Sequence, residues 1–287
     1  MLTDHYGELQ PVMSSTAPPL TSTRNPRVRA AAALSRGRER RATGRHLAEG
    51  PNAVSAAINA GLAETVFVTP DGQRLLAVDD QRVGDGQSMP EVVVVSEAVL
   101  DHITDAVTPQ PICAVVVTPT ADIDQLVSTM DVLVLDAVAD PGNVGTLVRT
   151  AQAFGFGAVM TTAMSADPFG PKAARSSAGA IYGPAIVTDI DPSAVIEWSR
   201  RTGRMLIGLD SRGATPLDAV AHMRAPLTLA VGSEAHGLSS TFIAALDEHV
   251  AIPMPGPTES LNAAIAGAIA MYVVMGGRSK GNRPGMR

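Results

Sequence analysis

One stretch constrains this chain more than any other: a buried strand followed by a Pro/Gly/Asn turn and an amphipathic helix. The run Val132-Leu133-Val134-Leu135 leads into Asp140-Pro141-Gly142-Asn143-Val144-Gly145-Thr146-Leu147-Val148-Arg149, and the helical pattern continues to Gly155. Such a unit sets an amide and a guanidinium at a strand's carboxyl end, where open α/β sheets usually hold their chemistry. Further apolar runs follow at 158–161, 185–188, 205–209, 227–231 and 250–252, separated by helices or long connections. This alternation predicts a mostly parallel sheet covered on both faces. The phosphate fingerprint of dinucleotide-binding sheets is missing, because Gly155-Phe156-Gly157 lacks a third glycine at the right offset and follows a helix instead of opening one. A P-loop is also missing, so phosphate-bearing cofactors have no obvious cradle.

With 287 residues, 45% of them hydrophobic, the chain is long enough for two ordinary domains with real cores. Residues 1–23 are rich in Pro, Ser and Thr and read as a disordered tail. Residues 24–119 read as a small α/β domain, 120–130 as a linker, 131–277 as the larger α/β domain and 278–287 as a basic tail. The single cysteine, Cys113, excludes an internal disulfide and sits in an apolar run, so it reads as core packing in a reduced cytoplasm. The opening residues form no apolar signal region. The longest uncharged run, 260–277, is rich in Ala and Gly rather than Leu, Ile and Phe, and reads as a buried helix, not a membrane span.

A net charge of -6 argues against a nucleic-acid partner, but its distribution argues the other way. Arg24, Arg27, Arg29, Arg36, Arg38, Arg40, Arg41 and Arg45 crowd one short segment, opposed only by Glu39. Spacing alone leaves two readings open, a solvated helix or a local footprint for phosphates, which the planar guanidinium suits.

Three segments that each follow a strand carry the most specific signal. They are the opening one; Leu229-Ala230-Val231-Gly232-Ser233-Glu234-Ala235-His236-Gly237-Leu238-Ser239; and Ile252-Pro253-Met254-Pro255-Gly256-Pro257-Thr258-Glu259-Ser260-Leu261-Asn262. In this order and spacing they resemble the three motifs of the SpoU/TrmH branch of the SPOUT methyltransferases, the ribose 2'-O-methyltransferases of ribosomal and transfer RNA. The resemblance covers Val132 to Gly276. More loosely, Asn25-Pro26 and His46-Leu47-Ala48-Glu49-Gly50 resemble the small RNA-binding domain of rRNA-modifying members, including thiostrepton-resistance methylases.

The resemblance implies a deep trefoil knot in the C-terminal sheet, S-adenosylmethionine as cofactor with no metal, and pairing of the knotted domains into a homodimer. It carries cofactor binding over to Leu209, Gly232, Ile252, Pro253 and Leu261. Arg149 falls at the family's essential arginine. Because a guanidinium is effectively always charged, holding a flanking phosphate and stabilising the forming alkoxide fits it better than proton removal. Asn143 would orient Arg149 or a ribose hydroxyl, Glu234 would position the arginine or accept a proton, and Ser260 and Asn262 would offer a hydroxyl and an amide at the last helix's start. Bland readings stand beside these, since Asn143 and Ser260 would cap a helix in any protein. For RNA, the arginine cluster points to Arg24, Arg27, Arg36, Arg38 and Arg41, and a segment that also resembles family sequence points to Lys172 and Arg175. The expected substrate is 23S rRNA; a tRNA 2'-O-methyltransferase and a non-catalytic RNA-binding or ribosome-assembly protein are the alternatives.

Overall fold

Valine- and leucine-rich runs bounded by Gly and Pro build two sheets, one in each of two units, Met1–Thr118 and Pro119–Arg287. The computed structural model describes residues 18–75, 89–104, 106, 108–126, 130–221, 223, 225–258 and 260–281. Residues 1–17 of the expected tail and 282–287 of the expected basic tail lie outside the described residues.

The first unit runs α1 (Pro26–Ala33), α2 (Gly37–Thr43), β1 (Arg45–Glu49), α3 (Pro51–Asn59), β2 (Ala63–Val68), β3 (Glu91–Val94), α4 (Glu97–Ile103) and β4 (Ile112–Val117). Its strands lie in the order β1-β4-β2-β3, antiparallel except for β2 and β3. The arginine-rich segment was expected as one helix and is two. The Ser35 hydroxyl turns back to the Ala32 carbonyl at 2.9 Å, and Arg36 is extended, so a side chain competes with the next helical turn. Arg40 repairs the break: it is buried and donates to the carbonyls of Leu34 and Ser35, each at 2.9 Å. These are carbonyls that the end of α1 leaves without helical partners. Cys113 packs in the core with Phe67 and Leu100. Burial, with Glu49 nearby, pushes its thiol well above the ordinary range, which makes it a poor nucleophile.

The second unit runs β5 (Val132–Asp136), α5 (Pro141–Ala153), β6 (Ala158–Thr162), α6 (Pro171–Ser177), β7 (Ala185–Ile190), α7 (Pro192–Arg201), β8 (Met205–Leu209), β9 (Thr215–Pro216), α8 (Leu217–Val220), β10 (Leu227–Gly232), α9 (Ser240–Ile243), β11 (Glu248–Ala251) and α10 (Ala263–Gly281). Seven strands pair in the order β7-β6-β5-β10-β8-β11-β9, and every pairing among the described residues is parallel. Alternation explains the unbroken apolar runs. Leu133, Leu135, Leu229 and Val231 face one core layer with Leu147 and Met271. Val132, Val134 and Ala230 face the other with Trp198 and Phe242.

β10 lies between β5 and β8, and β11 between β8 and β9, so each late strand sits between two earlier ones. Backbones crowd where this happens. A Cβ on Gly232 would collide with the backbone carbon of Gly237, and one on Gly267 of α10 with Leu147 of α5. Part of the stretch expected as a linker packs on the sheet, since Ala121 donates to the Ile186 carbonyl of β7 at 3.1 Å. Helix α10 buries Ala264, Ala270, Met271 and Val274 but exposes Ile265, Ile269 and Tyr272, so only one side of the expected buried helix is covered. Among the described residues, no helix is long and apolar enough to cross a membrane.

Candidate active site

Because the strands are parallel, the ends of β5 (Asp136), β8 (Leu209), β10 (Gly232) and β11 (Ala251) share one edge of the sheet. Buried Asp136 ties that edge together, accepting from the Thr162 hydroxyl at 3.0 Å and the Ser239 amide at 2.6 Å. Asp140, not Asn143, caps α5, accepting from the Asn143 amide at 3.0 Å, with Pro141 in the first turn. Lys172 reaches the same carboxylate at 2.8 Å. The Lys172 hydrogen bond first, and the Asn143 backbone second, hold the Asp140 carboxyl below the usual carboxylate range.

A chain of side chains then joins the three segments singled out from sequence. Asn143 donates its amide to the Glu234 carboxylate, and its carbonyl oxygen accepts from the Asn262 amide at 3.1 Å. A carboxylate can only accept, so this bond sets which way the Asn143 amide points. The Asn262 oxygen accepts from the amides of Ala264 at 2.9 Å and Ile265 at 3.2 Å. Asn262, not Ser260, therefore caps α10.

Arg149 stands apart from this chain. It is exposed, and six residues along a helix turn its side chain roughly 120° from that of Asn143. The resemblance has Asn143 orienting Arg149 or a ribose hydroxyl and Glu234 positioning the arginine or accepting a proton; within one chain, Asn143 and Glu234 hold each other.

Beside Glu234 lies a cavity of about 380 Å³. Leu209, Gly232, Ile252 and Leu261, which the resemblance assigned to the cofactor, line it together with Met254, Glu234 and Ser260, while exposed Pro253 is not part of the lining. The 233–237 turn closes one wall through paired backbone bonds between Ser233 and Gly237 at 2.9 and 3.0 Å, with Gly237 at φ +68°. Asp210, Arg212 and His236 also line it. None of these three is among the expected site residues, although the place of Asp210 and Arg212 just after a strand ending in Leu209 was a usable signal.

Residues 130–272 match the SpoU rRNA Methylase family, and residues 25–114 match the MRM3-like substrate binding domain. The chain is 30% identical over 259 residues to the 23S rRNA (guanosine(2553)-2'-O)-methyltransferase RlmP of Bacillus subtilis, covering 90% of this chain and 99% of that protein. The chain belongs to the SpoU rRNA methylase family. A second relative, the 23S rRNA (uridine(2479)-2'-O)-methyltransferase of Streptomyces viridochromogenes, is 29% identical over 91% of this chain and 93% of its own length. Among solved structures, the AdoMet-bound rRNA methyltransferase from Sinorhizobium meliloti superposes with a TM-score of 0.78 at 26% identity, over 90% of this chain and 97% of that one. The SpoU methyltransferase AviRb from Streptomyces viridochromogenes, in complex with AdoMet, gives 0.75 at 27% identity, over 91% and 100%.

In this SpoU family member the expected RNA-contacting arginines of the first unit are exposed, though not equally available. Arg24, Arg38 and Arg41 face solvent. Arg27 pairs with Glu91 at 2.5 Å and Arg36 lies 4.0 Å from Glu39. Arg45 is partly exposed and forks onto Glu64 at 2.5 and 2.7 Å. In the second unit Lys172 is exposed but held by Asp140, and Arg175 is half-buried on α6.

Proposed function

We propose that this protein transfers a methyl group from S-adenosylmethionine to a ribose 2'-hydroxyl of 23S rRNA. The observation that carries the reading is the Glu234-Asn143-Asn262 chain, which ties three strand-end segments together beside one cavity. Relatives aligned along at least nine-tenths of this chain are named as 23S rRNA 2'-O-methyltransferases, which favours that RNA over tRNA and an enzyme over a binding protein. An rRNA substrate also implies a cytoplasmic site of action.

The cavity fits the cofactor. Its volume suits a small-molecule site, and its walls combine apolar Leu209, Ile252 and Leu261 with main chain bared at Gly232. When bound, S-adenosylmethionine supplies an electrophilic methyl group on a good leaving sulfur. The residues of the chain must then align a ribose hydroxyl and handle its proton. Glu234 lines the cavity as a carboxylate acceptor, and the bond from Asn143 holds it in place. Arg149, permanently charged, serves by holding an RNA phosphate and stabilising the developing oxyanion. Ser260 faces the cavity and offers a hydroxyl, while Asn262 keeps Asn143 oriented. Exposed Arg24, Arg38 and Arg41, with Arg27, Arg36, Lys172 and Arg175, would track RNA phosphates.

The proposal includes the knot and the dimer. Strands that enter between earlier strands are what a threaded C-terminal segment leaves behind. Ile265, Ile269 and Tyr272 form an exposed stripe at helical spacing on α10, continued by Phe154 against the Tyr272 ring at 5.9 Å. A second copy packed on this stripe would bury it and let each Arg149 serve a site completed by the other chain.

Incubation with tritiated S-adenosylmethionine and separate 23S rRNA, 16S rRNA and tRNA transcripts tests this reading. Label in 23S rRNA, recovered as alkali-resistant dinucleotides that mark a blocked 2'-hydroxyl, is the expected result. Label confined to tRNA, or carried on bases, would overturn it.

A further inference from the structure

The cavity contains one guanidinium that the reading above leaves without a task. After β8 ends at Leu209, Asp210 donates its amide to the Val250 carbonyl at 3.0 Å, and its side chain accepts from the Arg212 amide at 2.9 Å. The Gly213 amide closes the turn on the Asp210 carbonyl at 2.9 Å, and a Cβ at Gly213 would run into the His249 carbonyl. The backbone is thus pinned from both sides while the Arg212 side chain stays 88% exposed, its Nε 3.9 Å from Asp210. The turn holds Arg212 at the cavity wall and leaves its head largely unspent.

Charge decides what that head can hold. The other charge-bearing side chains in the lining are the carboxylates of Asp210 and Glu234 and the imidazole of His236. S-adenosylmethionine carries two positive groups, the sulfonium and the ammonium, and one carboxylate. The two acidic side chains suit the positive groups and repel the carboxylate, and the apolar wall offers it nothing. We propose that Arg212 binds the α-carboxylate of the cofactor and so selects a ligand with an intact amino-acid tail. A planar fork matches a carboxylate with two parallel hydrogen bonds. This rests on the cofactor assignment above and adds to it the residue that recognises the tail.

The experiment compares two ligands that differ only in that group, S-adenosylmethionine and its decarboxylated form, by calorimetry on the wild-type protein and on Arg212→Gln. Loss of a charged hydrogen-bonding partner weakens binding about ten- to one-hundred-fold. The wild type is expected to prefer the intact cofactor by such a factor, and Arg212→Gln to lose that preference, because Asp210 and Glu234 then face the carboxylate with no cation beside it. Equal discrimination in wild type and variant would overturn the inference while leaving the cofactor assignment intact. So would unchanged cofactor binding with weakened 23S rRNA binding, which would place Arg212 on an RNA phosphate instead. A folded wild type that binds neither ligand would overturn the cofactor assignment itself, and this inference with it. Arg212 is exposed, so matched thermal midpoints should exclude misfolding as the cause of any loss.

Discussion

Asn143 donates its side-chain amide to the carboxylate of Glu234 across 91 residues of chain. The bond joins a capped helix start to a strand-end turn, and the proposed site is built on it.

Removing that bond should cost activity rather than stability. Asn143 and Glu234 are not buried, so Asn143→Ala should move the thermal midpoint little while lowering single-turnover methyl transfer about ten- to one-hundred-fold, the worth of a hydrogen bond to a charged group. Asn143→Asp should be worse than Asn143→Ala, because it sets one carboxylate against another. Equal rates for wild type and both variants would remove Asn143 from the site.

The crowding at Gly232 predicts a contrast between two glycines. Gly232→Ala forces a Cβ into the backbone of Gly237, and should destabilise by about 1–3 kcal/mol and abolish cofactor binding. Gly256 has nothing within 4 Å of the same added atom, so Gly256→Ala should stay within about 0.5 kcal/mol of wild type. Thermal denaturation and calorimetry on both variants check this.

Asp140 gives a pH dependence with a definite sign. Its carboxyl is held low by Lys172 first and the Asn143 backbone second. A depressed folded value contributes stability above the unfolded value, about 3.9, and loses it as pH falls through the folded one. The gap in thermal midpoint between wild type and Asp140→Asn should hold steady from neutral pH down to about 5 and close in stronger acid. The pair is exposed, so the gap should be small and should shrink with salt.

If the α10 stripe pairs two copies, Tyr272→Asp should give a folded monomer by light scattering with methyl transfer greatly reduced. A wild-type protein that is monomeric at micromolar concentration and fully active would rule out the shared site.

Much of the second unit is legible in the sequence because both faces of its sheet are covered, so Val132 to Leu135 and Leu227 to Val231 appear as unbroken apolar runs. Glu234, Asn143 and Asn262 are legible as candidates because the three segments that carry them resemble the family's motifs. Their partners are not, since which side chains meet depends on how three distant strand ends are brought to one edge. Capping by Asp140 rather than Asn143 turns on a three-residue shift that residue preferences do not resolve. The break in the arginine segment comes from one Ser35 hydroxyl and the burial of Arg40, and a charged residue's burial cannot be read from spacing. Arg212 is not legible, because Asp-Ser-Arg-Gly reads as an ordinary surface turn until the cavity beside it is known.

The most direct test of the central claim is the single-turnover rate of 2'-O-methyl transfer to 23S rRNA by wild type and Arg149→Ala, with cofactor affinity measured in parallel. A loss of about one-hundred-fold or more with cofactor affinity retained is the predicted result. Equal transfer by the two proteins would contradict it.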